Sequence, residues 1–132
     1  MTYLLLVMLA ALLFVLTGCI FAKKAGNKAK FTRISQEEAK EMMARDDGHV
    51  VVDVRRQNEY DAGHIPGAIL IPNETIGSDT SKVLPDYDQI ILVYCRSGNR
   101  SKQASEKLAA MGYKNVYEFG GINSWTGEIV TD

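Results

Sequence analysis

Two stretches of this sequence are apolar at every consecutive position, Val50-Val51-Val52 and Ile90-Ile91-Leu92-Val93. A strand with one face in water alternates apolar and polar residues. A continuous β-branched run has no wet face, and it suits a strand in a parallel sheet that is covered on both sides. Other short runs of this kind predict strands at 31–34, 68–71 and 116–119, beside those at 50–54 and 90–94. Helical patterns lie between them. Ser35 followed by Glu38 is a capping box opening a helix over 36–45 with Ala39, Met42 and Met43 as its buried stripe. A second helix is predicted over 101–111, with Ala104, Leu108 and Met111 on one face and Gly112 as its stop. Strands alternating with helices imply an α/β domain with helices on both faces of the sheet. In such domains the loops leaving the carboxyl ends of strands hold the ligand, so chemistry is expected after Val54 and after Tyr94.

Charge divides the chain in two. The 132 residues are 46% hydrophobic and 23% charged, averages that exclude a disordered, collagen-like or multi-span membrane protein, yet residues 1–22 contain no Lys, Arg, Asp or Glu. Residues 1–18 are expected to be a signal peptide or membrane anchor, residues 19–30 a basic linker, and residues 31–132 the single domain. Of the 15 Lys and Arg, four (Lys23, Lys24, Lys28 and Lys30) fall in the linker. The domain therefore holds 11 against 16 Asp and Glu, a net charge of −5. That balance argues against nucleic acid as a partner, because non-specific affinity for it comes from a basic face.

The apolar run ends in Leu16-Thr17-Gly18-Cys19, which resembles a bacterial lipobox, in which the cysteine takes a diacylglycerol before cleavage makes it the new N-terminus. This reading makes the protein an extracytoplasmic lipoprotein anchored through Cys19. No basic residue precedes the run, which continues through Ile20, Phe21 and Ala22 to about the 20 residues that span a bilayer. The other reading is therefore an uncleaved single-pass anchor, with Lys23 and Lys24 holding the domain on the cytoplasmic side.

After the strongest strand comes Cys95-Arg96-Ser97-Gly98-Asn99-Arg100 and then a helix. A cysteine at the tip of a buried strand, followed by a tight turn into a helix start, faces backbone N–H groups and the positive end of a helix dipole. These groups and the neighbouring Arg96 and Arg100 favour a thiolate. Gly98 allows the loop to curl around the sulfur.

This loop, with Asp53-Val54-Arg55, Glu59-Tyr60, Gly63-His64-Ile65-Pro66-Gly67-Ala68, and Gly120-Gly121 with Trp125, resembles the rhodanese family of sulfurtransferases over about residues 31–130. The resemblance implies a rhodanese-like domain, a five-stranded parallel sheet with helices on both faces. It makes Cys95 the catalytic nucleophile, which accepts a sulfane sulfur as a persulfide and passes it on. Arg96, Ser97, Gly98, Asn99 and Arg100 would bind the donor anion. Four residues separate Cys95 from Arg100, where related cysteine phosphatases have five and a ring wide enough for phosphate; the shorter loop suits a sulfur atom.

The implied activity is of the thiosulfate sulfurtransferase type, with thiosulfate or polysulfide as donor and cyanide or a thiol as acceptor. It calls for no cofactor and no metal, and the chain is expected to be a monomer. The alternative is a persulfide carrier that delivers sulfur to a protein partner. Asp53 and Arg55 are expected to support the loop, Asp53 by pairing with an arginine or with loop amides. His64 is expected to fix a turn, His49 to lie at the surface, and Trp125 to pack the C-terminal segment on the core or line the mouth of the site.

Overall fold

A computed structural model describes residues 30–131. The expected signal or anchor, the lipidation site Cys19 and all but the end of the basic linker lie outside these residues. Among the described residues no helix is long and apolar enough to cross a membrane.

The sheet has five strands, β1 (Thr32–Arg33), β2 (Val50–Asp53), β3 (Ile69–Leu70), β4 (Ile90–Cys95) and β5 (Asn115–Gly121), in the order β1-β5-β4-β2-β3. Every pairing is parallel. The two apolar runs form the adjacent strands β2 and β4, and the pleat shows why they need no polar position. Val52, Val54, Ile91, Val93 and Cys95 pack to one side, against Ala104 and Leu108 of the helix after β4. Val51, Leu92 and Tyr94 pack to the other, with Ala39 and Phe119. Successive side chains point to opposite faces, and here both faces are core. The expected α/β architecture is the one observed.

Helix α1 (Gln36–Met43) begins where the Ser35 hydroxyl accepts the Glu38 N–H at 3.1 Å, and it stops two residues short of the expected end. Two short helices, α2 (Gln57–Ala62) and α3 (Thr80–Val83), escape the sequence patterns because neither is long enough to show a stripe. The long helix α4 (Asn99–Ala110) lies on the first face and buries Ala104, Leu108 and Ala109. Truncating Leu108 to alanine there costs about 2–5 kcal/mol. The edge strands are shorter than expected, since β1 and β3 keep only two residues each in register with a neighbour.

His64 meets its expected role. Its backbone bridges to Val130 in both directions, its Nδ1 lies 2.9 Å from the Tyr60 carbonyl, and its ring stacks on that of Tyr60. His49 lies at the surface as expected, partly covered, with Nδ1 2.6 Å from Asp47 Oδ1. Trp125 packs its ring against Phe119 and below Lys40 Nζ.

Candidate active site

Strand β4 runs one residue further than its apolar pattern, so Cys95 is its last residue, opposite Gly121 of β5 across an irregularity in the register. The chain then turns through Arg96 and Ser97 to Gly98, which caps α4 at φ 109°, a left-handed angle that side chains disfavour. This turn brings the Gly98 N–H to 3.0 Å from Cys95 Sγ. The start of α4, twelve residues long, adds the positive end of its dipole.

The Gly120-Gly121 pair lies against the turn. A Cβ on Gly121 would fall 2.0 Å from the Arg96 carbonyl oxygen, so only glycine lets β5 pass this close. The same carbonyl accepts the Asn123 N–H at 3.1 Å.

Burial pushes the Cys95 thiol up, but its hydrogen bonding with the Ser101 side chain and with the N–H groups of Ser101, Gly98 and Ser97 outweighs it. The thiol consequently titrates below its ordinary range. Stabilisation of sulfur by N–H donors in this way is how a cysteine becomes a nucleophile near neutral pH.

The six residues of 95–100 divide by exposure. Cys95 and Gly98 are buried, Arg100 is half-buried, and Arg96, Ser97 and Asn99 are exposed. Beside the loop lies a cleft of about 360 Å³ lined by Arg56, Asn58, Glu59, Arg96 and Arg100. Arg96 makes no ion pair among the described residues. Arg100 is gripped by Glu59 of α2, Nη1 to Oε1 at 2.6 Å and Nη2 to Oε2 at 2.9 Å. The Arg100 guanidinium in turn holds the Glu59 carboxyl down at about 2. Three arginines against one carboxylate leave the cleft electropositive.

Asp53 and Arg55 come to rest one strand away, at the end of β2. Asp53 pairs with an arginine, as expected, and that arginine is Arg55. Its Nη2 donates to Oδ2 at 2.7 Å, its Nε to Oδ1 at 3.0 Å, and Nη2 also reaches the Gly63 carbonyl at 2.7 Å. The guanidinium stands 5.8 Å from the ring centre of Tyr94, the residue before the cysteine. Burial pushes the Tyr94 phenol far up, and its oxygen accepts the Ile65 N–H at 3.1 Å. Trp125 does not line the cleft.

Sequence reasoning assigned no role to Glu59, Arg56, Asn58, Ser101 or Glu118. For Glu118 a signal existed: it is the charged residue inside the apolar run Val116-Tyr117-Glu118-Phe119, and the structure buries it completely. Ser101 was visible only as a helix-start residue, and the bond it makes to Glu118 crosses from α4 to β5.

Comparison with known proteins agrees with this geometry. The family model described as "Rhodanese-like domain" matches residues 35–128. A thiosulfate sulfurtransferase GlpE of Pseudomonas entomophila is 39% identical over 98 residues, covering 74% of this chain and 86% of that protein. A rhodanese-like domain protein from Staphylococcus aureus superposes with a TM-score of 0.66 at 30% identity, over 77% of this chain and 99% of the other. A rhodanese solved with anions, from E. coli, gives a TM-score of 0.59 at 33% identity over 64% of this chain and 99% of that one. With the family model spanning most of the described residues and the cysteine turn closed by its two glycines, the chain belongs to the rhodanese-like domain family.

Proposed function

We propose that this protein is a sulfurtransferase that moves a sulfane sulfur from thiosulfate or a similar small anion to a thiophilic acceptor through a persulfide on Cys95. The observation that carries the reading is the Gly98 N–H at 3.0 Å from Cys95 Sγ, in a turn whose amides face the sulfur at the start of α4. In the first half-reaction the Cys95 thiolate attacks the outer sulfur of thiosulfate. A new S–S bond forms, and the old one breaks with its electron pair leaving on sulfite. In the second, cyanide or an acceptor thiolate attacks the outer sulfur of the persulfide, and the electron pair returns to Cys95. The amides that stabilise the thiolate equally stabilise the anionic persulfide.

The electropositive cleft supports a small dianion as donor. Arg96, exposed and without an ion pair among the described residues, is the contact for it; Arg100, held by Glu59, adds charge. Ser97, Gly98 and Asn99 contribute backbone, and Asp53 with Arg55 steadies the strand end beneath the loop. The E. coli relative bound to anions and the GlpE relative's thiosulfate activity point the same way.

Incubating the full chain with thiosulfate should add one sulfur atom to the Cys95 peptide by mass spectrometry, and cyanide should then release thiocyanate. Cys95→Ser should lose both, because serine has no polarizable thiolate to hold a second sulfur. Turnover by that variant at the wild-type rate would remove Cys95 from the reaction. An adduct that forms only when a partner protein supplies the sulfur, with negligible thiosulfate turnover, would make the chain a carrier.

We also propose that Cys19 is acylated and places the domain outside the cytoplasmic membrane, a reading supported by Leu16-Thr17-Gly18-Cys19. Labelled fatty acid should enter wild type but not Cys19→Ala, and absence of label from both would favour the uncleaved anchor.

A further inference from the structure

Behind the sulfur, a chain of buried groups has no part in the steps above. Cys95, 1% exposed, donates its thiol proton toward Ser101 Oγ across 3.4 Å. Ser101, 0% exposed, donates to Glu118 Oε1 at 2.7 Å. Glu118, also 0% exposed, accepts the Gly120 N–H on the same oxygen at 2.8 Å and Arg33 Nε on the other at 2.8 Å. A carboxylate is seldom buried so completely without a task or a partner. Among the described residues the ion-pair partner of Glu118 is Arg33 on the edge strand β1, whose side chain is 65% exposed.

A serine hydroxyl has one proton to donate. Ser101 has three oxygen acceptors within reach, the Gly98 carbonyl at 3.0 Å, the Gly120 carbonyl at 3.3 Å and the Glu118 carboxylate at 2.7 Å. The carboxylate is the nearest and the only charged one, and therefore the strongest. With its proton turned there, Ser101 presents a lone pair to the sulfur, which suits S–H and opposes S⁻. For the thiolate to receive the Ser101 hydrogen bond, the hydroxyl must rotate away from Glu118.

We propose that Glu118 is a positioning residue for Cys95, competing with the sulfur for the single Ser101 hydroxyl proton and so opposing the loop amides that favour the thiolate. The inference rests on Cys95 being the nucleophile. Its chemical sense is that nucleophilicity falls as a thiol becomes more acidic, and the best attacking thiol titrates near ambient pH. Glu118 keeps the amide cradle from making the sulfur too weak a nucleophile. The other charges around the sulfur lie on separate elements. Arg96 and Arg100 favour the thiolate, Glu59 of α2 is tied to Arg100, and Asp53 and Arg55 neutralise each other. Facing Glu118 is Arg33 alone among the described charged groups.

The test is the pH profile of iodoacetamide alkylation in the full chain, followed on the Cys95 peptide by mass spectrometry so that Cys19 does not contribute. Glu118→Gln keeps the shape and leaves Ser101 a weaker acceptor. The midpoint is expected to fall by about one pH unit, and the plateau rate at high pH to fall with it. In a Ser101→Ala background the same substitution should move the midpoint by less than half as much. Arg33→Gln should move it the other way, upward, because Glu118 loses its counter-ion.

A midpoint unmoved or raised by Glu118→Gln, or a shift that survives undiminished in Ser101→Ala, would overturn the proposal. Should Glu118→Gln fail to fold, an Arg33→Gln midpoint at or below that of wild type would do the same. Alkylation needs no sulfur donor, so these outcomes are separate from the fate of the sulfurtransferase reading, which stands or falls on Cys95→Ser.

Discussion

Arg55 and Asp53 meet with side chains 6% and 0% exposed, whereas Arg100 and Glu59 meet with 30% and 21% exposed. Both are arginine–carboxylate pairs within the same face-end of the sheet, and both are bidentate or better. The difference lies in what water can do when one partner is lost. Around the buried pair no solvent can replace a missing carboxylate, so Arg55 would remain a charge without compensation between Gly63 and the Tyr94 ring. Around the half-exposed pair water can step in, so its contribution to stability is small while its charge is still felt across the cleft. One pair holds the strand end in place, and the other sets the potential at the mouth of the site.

The largest effect that separates them is on folding. Asp53→Asn should destabilise the protein by about 3–5 kcal/mol, the scale for orphaning a buried charge, seen as a lower denaturant midpoint. A loss of the size found for surface pairs would erase the distinction.

Next come the cleft arginines. Arg96→Ala should raise the thiosulfate KM about tenfold or more, by removing a charge-assisted contact worth about 1.5–3 kcal/mol. Arg100→Ala should raise it less, since Glu59 already shares that charge. An unchanged KM for Arg96→Ala would make that side chain surface charge and no more.

Glu59→Gln is the sharper probe of the exposed pair, because stability and binding should part company. Folding should weaken by less than about 1 kcal/mol. Removing a negative charge from the cleft should meanwhile lower the thiosulfate KM by about fivefold, the worth of a contact-distance charge in water. A KM that rises would show Glu59 to be needed to aim Arg100.

The smallest effect is the acid response. Glu59 titrates at about 2 in the folded chain against an ordinary 4.5, so its contribution is complete above pH 4.5 and is lost as the pH falls from there toward 2. In Glu59→Gln that part of the acid-induced loss should disappear, a difference of about 1 kcal/mol at most. Denaturant titrations of both proteins across that window would measure it.

What was determined by the sequence alone follows from local physics. Apolar side chains at every position of 50–52 and 90–93 require two covered faces, and that selects a parallel sheet with helices on both sides. Ser35 with Glu38 marks the start of α1, and Gly112 marks the end of α4, because capping and left-handed angles depend on neighbouring residues only; the start of α4 at Asn99, two residues before the expected 101, was not read. The cysteine loop was legible for the same reason, being one contiguous turn from strand to helix. The lengths of β1 and β3 were not, since an edge strand ends where its neighbour ceases to pair with it.

The tertiary structure alone decided which arginine meets which acid. Glu59 and Arg100 are 41 residues apart, and Arg33 and Glu118 are 85 apart. No spacing rule joins such residues; they meet because the strand order sets β1 beside β5 and lays α4 over the end of the sheet. The sequence singles out Cys95 and its turn, but the charged side chains gathered around that turn arrive from other elements of the fold. Their distances, and the water that reaches one pair and not the other, exist only once the sheet has closed.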